Sequence, residues 1–258
     1  MAQRSFAGNN CSLTRRSLLS ASTASCVVPP HHIFPSHASV LLTQAQSEAA
    51  FARAEPSVVC LKTPSNGILL GSGVLWTDDA IVTRRESLPA PIIGTQVLVE
   101  CTRGSAIAYV AGTDPNRGLA ALLLERSSQR VGVPISLSGG TSDLRVGQAV
   151  LEIARDVDGS FLSTGVVSSA KRDLNDIGAP MSAGGAIQTD CSWRSSASRG
   201  AALVDSSGAL IGLLAATYGA LASKQNSSSG LTLALPLQSL TERVPSLLAF
   251  GEAGRLTA

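Results

Sequence analysis

The stretch DCSWRSSASRGAALVDSSG, Asp190 to Gly208, crowds serines into a polar loop that runs directly into an apolar strand and a turn. A hydroxyl placed there could attack a carbonyl, but serine at neutral pH is inert until a neighbouring base removes its proton. Acyl transfer makes two further demands: an acid that orients and stabilises the base, and backbone amides aimed at the developing oxyanion. Histidine is the side chain best suited to the base, and the chain holds His31, His32 and His37, with none after residue 37. A Ser–Lys dyad could draw only on Lys62, Lys171 or Lys224. Cys191 is a second conceivable nucleophile, yet a thiol needs a histidine or strongly positive surroundings to ionise, and only Arg194 stands near it in sequence. It reads as a buried structural thiol.

These residues must be positioned by a scaffold. From Pro56 onward the chain is a succession of short apolar segments, SVVCLKT, GILLGSGVLW, AIVT, TQVLVEC, AIAYVAG and LAALLL, then AVLEI, TGVVSSA, AALVD, ALIGLLA and LTLALP. Gly, Ser, Pro and Asp turns separate them. Such spacing predicts an all-β protein, barrel or sandwich, in two sets of about six strands. The sets meet near Pro134 to Gln148, where Gly139, Gly140, Thr141, Ser142 and Asp143 predict the connection. Short helices bracket the strands. TQAQSEAAFARAE, Thr43 to Glu55, is a good helix former ended by Pro56. Leu237, Leu240, Val244 and Leu247 or Leu248 recur at helical spacing after Pro236, so a helix over about 237–249 is expected, kinked or interrupted by Pro245.

Composition limits the alternatives. With 258 residues, 44% hydrophobic, the chain can bury a sizeable core. A charged fraction of 15% and a formal charge of +2 argue against capture of nucleic acid or an anionic membrane, and 3% aromatic content leaves few rings for stacking bases. No segment provides the roughly 18 uninterrupted apolar residues of a membrane helix; the richest, Ala209 to Ala222, is broken by Gly212 and Gly219. Cys11, Cys26, Cys60, Cys101 and Cys191 form neither a disulfide framework nor a zinc signature, and buried structural thiols are expected.

Before Glu48 there is no acidic residue, while Arg4, Arg15 and Arg16 sit among Ser, Thr and Ala, which is the composition of an organelle-import leader over residues 1–46. Without those arginines the remainder carries 17 basic and 18 acidic residues. Arg15 and Arg16 precede the mildly apolar SLLSASTAS, which reads either as a twin-arginine export signal or as a basic patch of the presequence.

Several motifs occur in one order: GSGVLWTDDAIVT (Gly71 to Thr83), GTDPNRGLAALLL (Gly112 to Leu124), SDLRVGQAV (Ser142 to Val150), STGVVSS (Ser163 to Ser169), IQTD (Ile187 to Asp190) and LVDSSGALIG (Leu203 to Gly212). That series resembles the HtrA/Deg (Do-like) serine endopeptidases of the trypsin-like fold, and more narrowly the plant chloroplast Deg proteins of the thylakoid lumen that lack a PDZ domain. The resemblance implies a double β-barrel over 47–251, barrel one at about 56–133 and barrel two at about 145–236, with the site in the cleft between them. It implies no cofactor. Substrates would be unfolded or damaged proteins, the assembly a homo-oligomer or a hetero-oligomer with another Deg protease, and the location the chloroplast, in the thylakoid lumen or the stroma.

The family's triad can be sought residue by residue. Its histidine stands in a segment like IVTNxHV; IVTRRESL puts Glu86 in that place. A carboxylate with a pKa near about 4 is a poor general base at neutral pH unless burial raises it. The family's aspartate stands in a segment like DxDxDLAVL, where TDPNRGLAALLL puts Gly118, with Asp114 four residues earlier as a turn residue. Counting forward from IQTD places Ser198 on the nucleophile; counting back from VDSSG places Arg199 there. On the first count Ser196 and Arg199 replace glycines of the NxGNSGGPL motif, so the oxyanion loop is Ser196, Ala197, Arg199 and Gly200. ARDVDG, Ala154 to Gly159, similarly replaces the family's GNPxG turn beside the cleft. Two readings follow: a catalytically impaired scaffold that binds peptide or assembles with an active Deg protease, or an active serine endopeptidase that uses Ser198.

Overall fold

The computed structural model describes residues 42–126, 130–139, 144–173, 185–217 and 230–255. Most of the expected leader, with all three histidines, lies outside them, as do Lys224 and residues 140–143 of the expected connection. The described chain is a pair of closed six-stranded antiparallel barrels, as the trypsin-like fold requires. Barrel one contains β1 (Val58–Lys62), β2 (Leu69–Leu75), β3 (Ala80–Arg84), β4 (Gln96–Cys101), β5 (Gly104–Asp114) and β6 (Leu119–Leu124), closed in the order β1-β2-β3-β6-β5-β4. Barrel two contains β7 (Ala149–Arg155), β8 (Ser160–Arg172), β9 (Ala186–Thr189), β10 (Ala202–Val204), β11 (Leu210–Thr217) and β12 (Thr232–Pro236), closed in the order β10-β11-β12-β9-β8-β7.

The uninterrupted apolar runs are explained by burial on both strand faces. In β6, Ala120, Leu122 and Leu124 point into barrel one with Val59, Leu61, Ile81, Val97 and Val99. Leu119 and Ala121 point the other way and join Val58, Val74 and Val82 against Leu151, Ile153, Ala202, Val204 and Leu213 of barrel two. That second cluster is the seam between barrels. Barrel two has its own interior, where Val150 and Ala154 of β7 meet Ile187, Leu203, Ile211 and Leu214. Every second residue of β7 therefore faces this interior.

Helix α1 (Gln44–Ala54) begins at Thr43, whose hydroxyl accepts the Gln46 amide while Gln46 Oε1 accepts the Thr43 amide at 2.9 Å. This reciprocal cap satisfies two orphan donors of the first turn. Ala50 and Ala54 bury its inner face against the seam. Helix α2 (Leu237–Arg255) presents Leu237, Leu240, Val244 and Leu247 to the same seam. The expected interruption at Pro245 does not occur: the helix continues through it to Arg255. Burial of residues on both sides of the proline offsets the backbone bond that it removes. Among the described residues no helix is long and apolar enough to cross a membrane.

Candidate functional site

Three loops meet at the cleft. The first is a 3-10 turn, Arg85–Ser87, that follows β3; the second is the turn from Asp114 to Gly118 between β5 and β6; the third is a 3-10 turn, Ser196–Ser198, that leads into β10. The Arg85 amide donates to the Gly118 carbonyl at 2.9 Å, which fixes the first loop on the second. Glu86 and Gly118 are thus neighbours, as the sequence motifs require. Between them lies the guanidinium of Arg84, nearly fully buried, 3.1 Å from the Glu86 carboxylate and donating to the Arg117 carbonyl at 2.7 Å. Burial pulls the Arg84 guanidinium below its ordinary range, with Glu86 acting in the opposite direction. Gly118 has φ +59°, and a Cβ there would lie 2.2 Å from Arg84 Nη2 and 2.5 Å from Glu86 Oε1. The absence of a side chain makes room for the ion pair.

Asp114 is a structural turn residue. Its Oδ1 accepts the amides of Asn116 (3.0 Å) and Arg117 (3.3 Å), and its Oδ2 pairs with Arg117 (3.3 Å) and with Arg243 of α2 (2.8 Å). Burial would push this carboxyl up, but the Arg117 amide and the two guanidiniums outweigh it and hold it below the usual carboxylate range. None of its contacts reaches the serine loop.

Ser198 is completely buried, with its hydroxyl facing the Glu152 carboxyl of β7. Its Oγ accepts the Arg194 amide at 3.2 Å. Ser195 caps the turn by accepting the Ala197 amide at 3.1 Å. The Ser198 amide donates to Ser195 O at 3.1 Å, and the Arg199 amide to Ser196 O at 3.0 Å. The amides of Ala197, Ser198 and Arg199 are all consumed inside the loop, so none of the three is aimed at an oxyanion in the cleft. The side chain of this loop that does reach the first loop is that of Arg199, whose Nη1 donates to the Glu86 carbonyl at 3.4 Å.

Backbone packing fixes the loop against barrel one. The Ser72 amide donates to Arg199 O at 2.9 Å, and the Ser72 hydroxyl donates to Ala197 O at 2.7 Å while accepting the Arg155 amide at 3.0 Å. Gly200, at φ +80°, lets the chain pass so close that a Cβ would lie 2.2 Å from Ser72 O. The GSG motif at residues 71–73 is thus the anchor of the serine loop.

The structure adds one residue that the sequence reading passed over. Glu152 sits in the middle of β7, fully buried, on the strand face that Val150 and Ala154 turn to the interior of barrel two. Both of its carboxyl oxygens are buried and lack a hydrogen-bond partner among the described residues. Burial pushes this carboxyl up to about 7, opposed by the facing Ser198 hydroxyl and by the charge of Arg194. A lone glutamate in AVLEIA was the available signal, since strand alternation assigns it to the same face as Val150.

The remaining nucleophile candidates are accounted for. Cys191 is buried, accepts from Thr189 Oγ1 at 3.3 Å, and is pushed up to about 12 by burial and then by the charges of Glu152 and Asp190. A thiol so far from ionisation is inert. Lys62 pairs with Glu100. No group of three or more His, Cys, Asp or Glu side chains that could hold a metal converges among the described residues.

Residues 71–213, just over half the chain, match the trypsin-like peptidase domain family. Over 232 residues the chain is 32% identical to "Protease Do-like 5, chloroplastic" of Arabidopsis thaliana, spanning 80% of this chain and 70% of that protein. It is 31% identical over 226 residues to serine protease PepD of Mycobacterium tuberculosis, spanning 80% of this chain but 47% of that one. It is 30% identical over 188 residues to "Protease Do-like 1, chloroplastic" of Arabidopsis thaliana, spanning 72% of this chain and 40% of the relative. Among solved structures, the crystal structure of Deg5 superposes with a TM-score of 0.64 at 28% identity, covering 81% of this chain and 98% of that one. The HtrA-type protease AlgW with tripeptide gives 0.66 at 27% identity, covering 80% and 64%. By sequence and by fold alike, the chain belongs to the HtrA/Deg family of trypsin-like peptidases.

Proposed function

We propose that this chain is a catalytically impaired Deg protein, a double barrel that binds unfolded peptide or assembles with an active Deg protease in chloroplast protein quality control. The observation that carries this reading is the state of Ser198. Its hydroxyl is buried and occupied by the Arg194 amide, while the base and acid positions hold an Arg84–Glu86 ion pair packed over Gly118. A serine so placed has no access to a carbonyl, and the carboxyl that its hydroxyl faces, Glu152, is walled into barrel two with it. Of the two residues that sequence counting offers for the nucleophile position, the contact with Glu86 favours Arg199 as the one that faces the cleft, with Ser198 behind it.

The test is cleavage of casein by the purified domain, with Ser198→Ala as control. Equal, background-level turnover is expected for both, and cleavage lost in the variant would establish an active peptidase instead. For the partner role, the tagged protein should co-purify with an active Deg protease; a strictly monomeric, partnerless protein contradicts it. The acid-free N-terminal segment and the two relatives named chloroplastic support the location, and Arg15–Arg16 supports onward export to the thylakoid lumen. Import of a fluorescent fusion into isolated chloroplasts, followed by fractionation, checks both steps.

A further inference from the structure

Among the described residues Glu152 is the one fully buried carboxyl of barrel two, and no function described above uses it. A carboxylate in that position would be desolvated with little more than the Ser198 hydroxyl to offset the loss of water, an arrangement that proteins avoid by retaining the proton. What surrounds it is specific. Its cross-strand neighbours are Ser163 of β8 and Leu203 of β10; Ser163 Oγ is occupied by the Ser192 amide at 2.8 Å. From the segment after β9 come Cys191, whose burial keeps it a neutral thiol, and Asp190, which is exposed and accepts the Val166 amide at 2.7 Å. From the serine loop come the Ser198 hydroxyl and, at its exposed edge, Arg194, whose guanidinium lies over the Phe161 ring at 5.4 Å. Among the described residues, the groups outside the strands that act on Glu152 are Ser198 and Arg194, both of the loop from Arg194 to Gly200.

We propose that Glu152 is a proton-operated latch on the Arg194–Gly200 loop: protonated, it lets the loop close over it with Ser198 turned inward, and loss of its proton drives the loop open to hydrate the carboxylate. The same loop carries Arg199, which bridges to Glu86, and the Ala197 and Arg199 carbonyls that hold Ser72. Opening therefore releases the loop from barrel one and widens the cleft. The direction of the effect is fixed by linkage. A carboxyl raised by burial to about 7, against an ordinary 4.5 once hydrated, binds its proton more tightly in the closed state, so closure is favoured at low pH and lost as pH rises toward 7. The inference concerns the state of the loop and does not depend on whether the chain cleaves peptides.

Hydrogen exchange of the full chain, followed by mass spectrometry at pH 6 and pH 8.5 and corrected for intrinsic exchange, tests it. Protection of the amides of residues 194–200 should fall about ten-fold between the two pH values in wild type. In Glu152→Gln, a neutral side chain of the same shape, protection should stay flat, and barrel-one peptides other than the one that contains Ser72, whose amide donates to Arg199 O, should be unchanged in both proteins. Should Glu152→Gln fail to fold, Ser198→Ala serves: it retains the carboxyl and must retain the pH dependence, at lower protection throughout. A flat wild-type response, a pH dependence that persists in Glu152→Gln or vanishes in Ser198→Ala, or an equal loss of protection across barrel one overturns the latch.

Discussion

At the scale of single residues, the cleft is defined by charged groups, and on the reading proposed above they stand where a triad would need others. Arg84 and Glu86 satisfy each other over Gly118, and Arg199 covers the pair. Glu152 and Asp114 are both buried carboxyls, yet they are shifted in opposite directions. Asp114 has four donors and is held low, so its contribution to stability is present above its unfolded pKa and is lost as pH falls through its lower folded value. Glu152 is raised to about 7 because burial outweighs the Ser198 hydroxyl and the charge of Arg194, so its destabilisation grows as pH rises from 4.5 to about 7. Glu152→Gln should therefore match wild type in denaturant unfolding at pH 5 and exceed it at pH 8, by up to about 3 kcal/mol. Equal stability at pH 8 would show that the carboxylate is hydrated in the folded protein. That Glu86 and Gly118 would lie in neighbouring loops was legible because the strands on either side fix their register. It did not choose between Ser198 and Arg199, since that choice depends on how a 3-10 turn capped by Ser195 rotates successive side chains.

At the scale of elements, the strands were legible because each is a short apolar run closed by turn residues, and α1 because Thr43 and Gln46 form a capping box ahead of it. Helix α2 exceeded its expected end because propensity at Pro245 was outweighed by the seam residues on either side. Two junctions hold the site loops to the scaffold and can be tested separately. Gly200→Ala places a methyl 2.2 Å from the backbone oxygen of Ser72 at a left-handed φ, so backbone must move. A loss on the order of 2–4 kcal/mol is expected, read as a lowered thermal midpoint; an unchanged midpoint would contradict the close approach. Asp114→Asn removes the charge that Arg117 and Arg243 share, and should cost roughly 1–3 kcal/mol and increase amide exchange in the first turns of α2.

At the scale of the whole molecule, the two barrels and their shared seam follow the trypsin-like fold, and on the proposed reading the loops of the cleft play a structural rather than a catalytic part. A trypsin-like double barrel needs its apolar strands to fold and its loops to react, and these are separable requirements. The central claim is that the cleft of this HtrA/Deg-family chain contains no activated serine. Exposure of the purified protein to a serine-directed fluorophosphonate, with mass spectrometry of the peptide that contains Ser195, Ser196 and Ser198, tests it most directly. No phosphonylation is expected on any of the three under conditions that fully label an active trypsin-like enzyme; stoichiometric modification of Ser198 would contradict it.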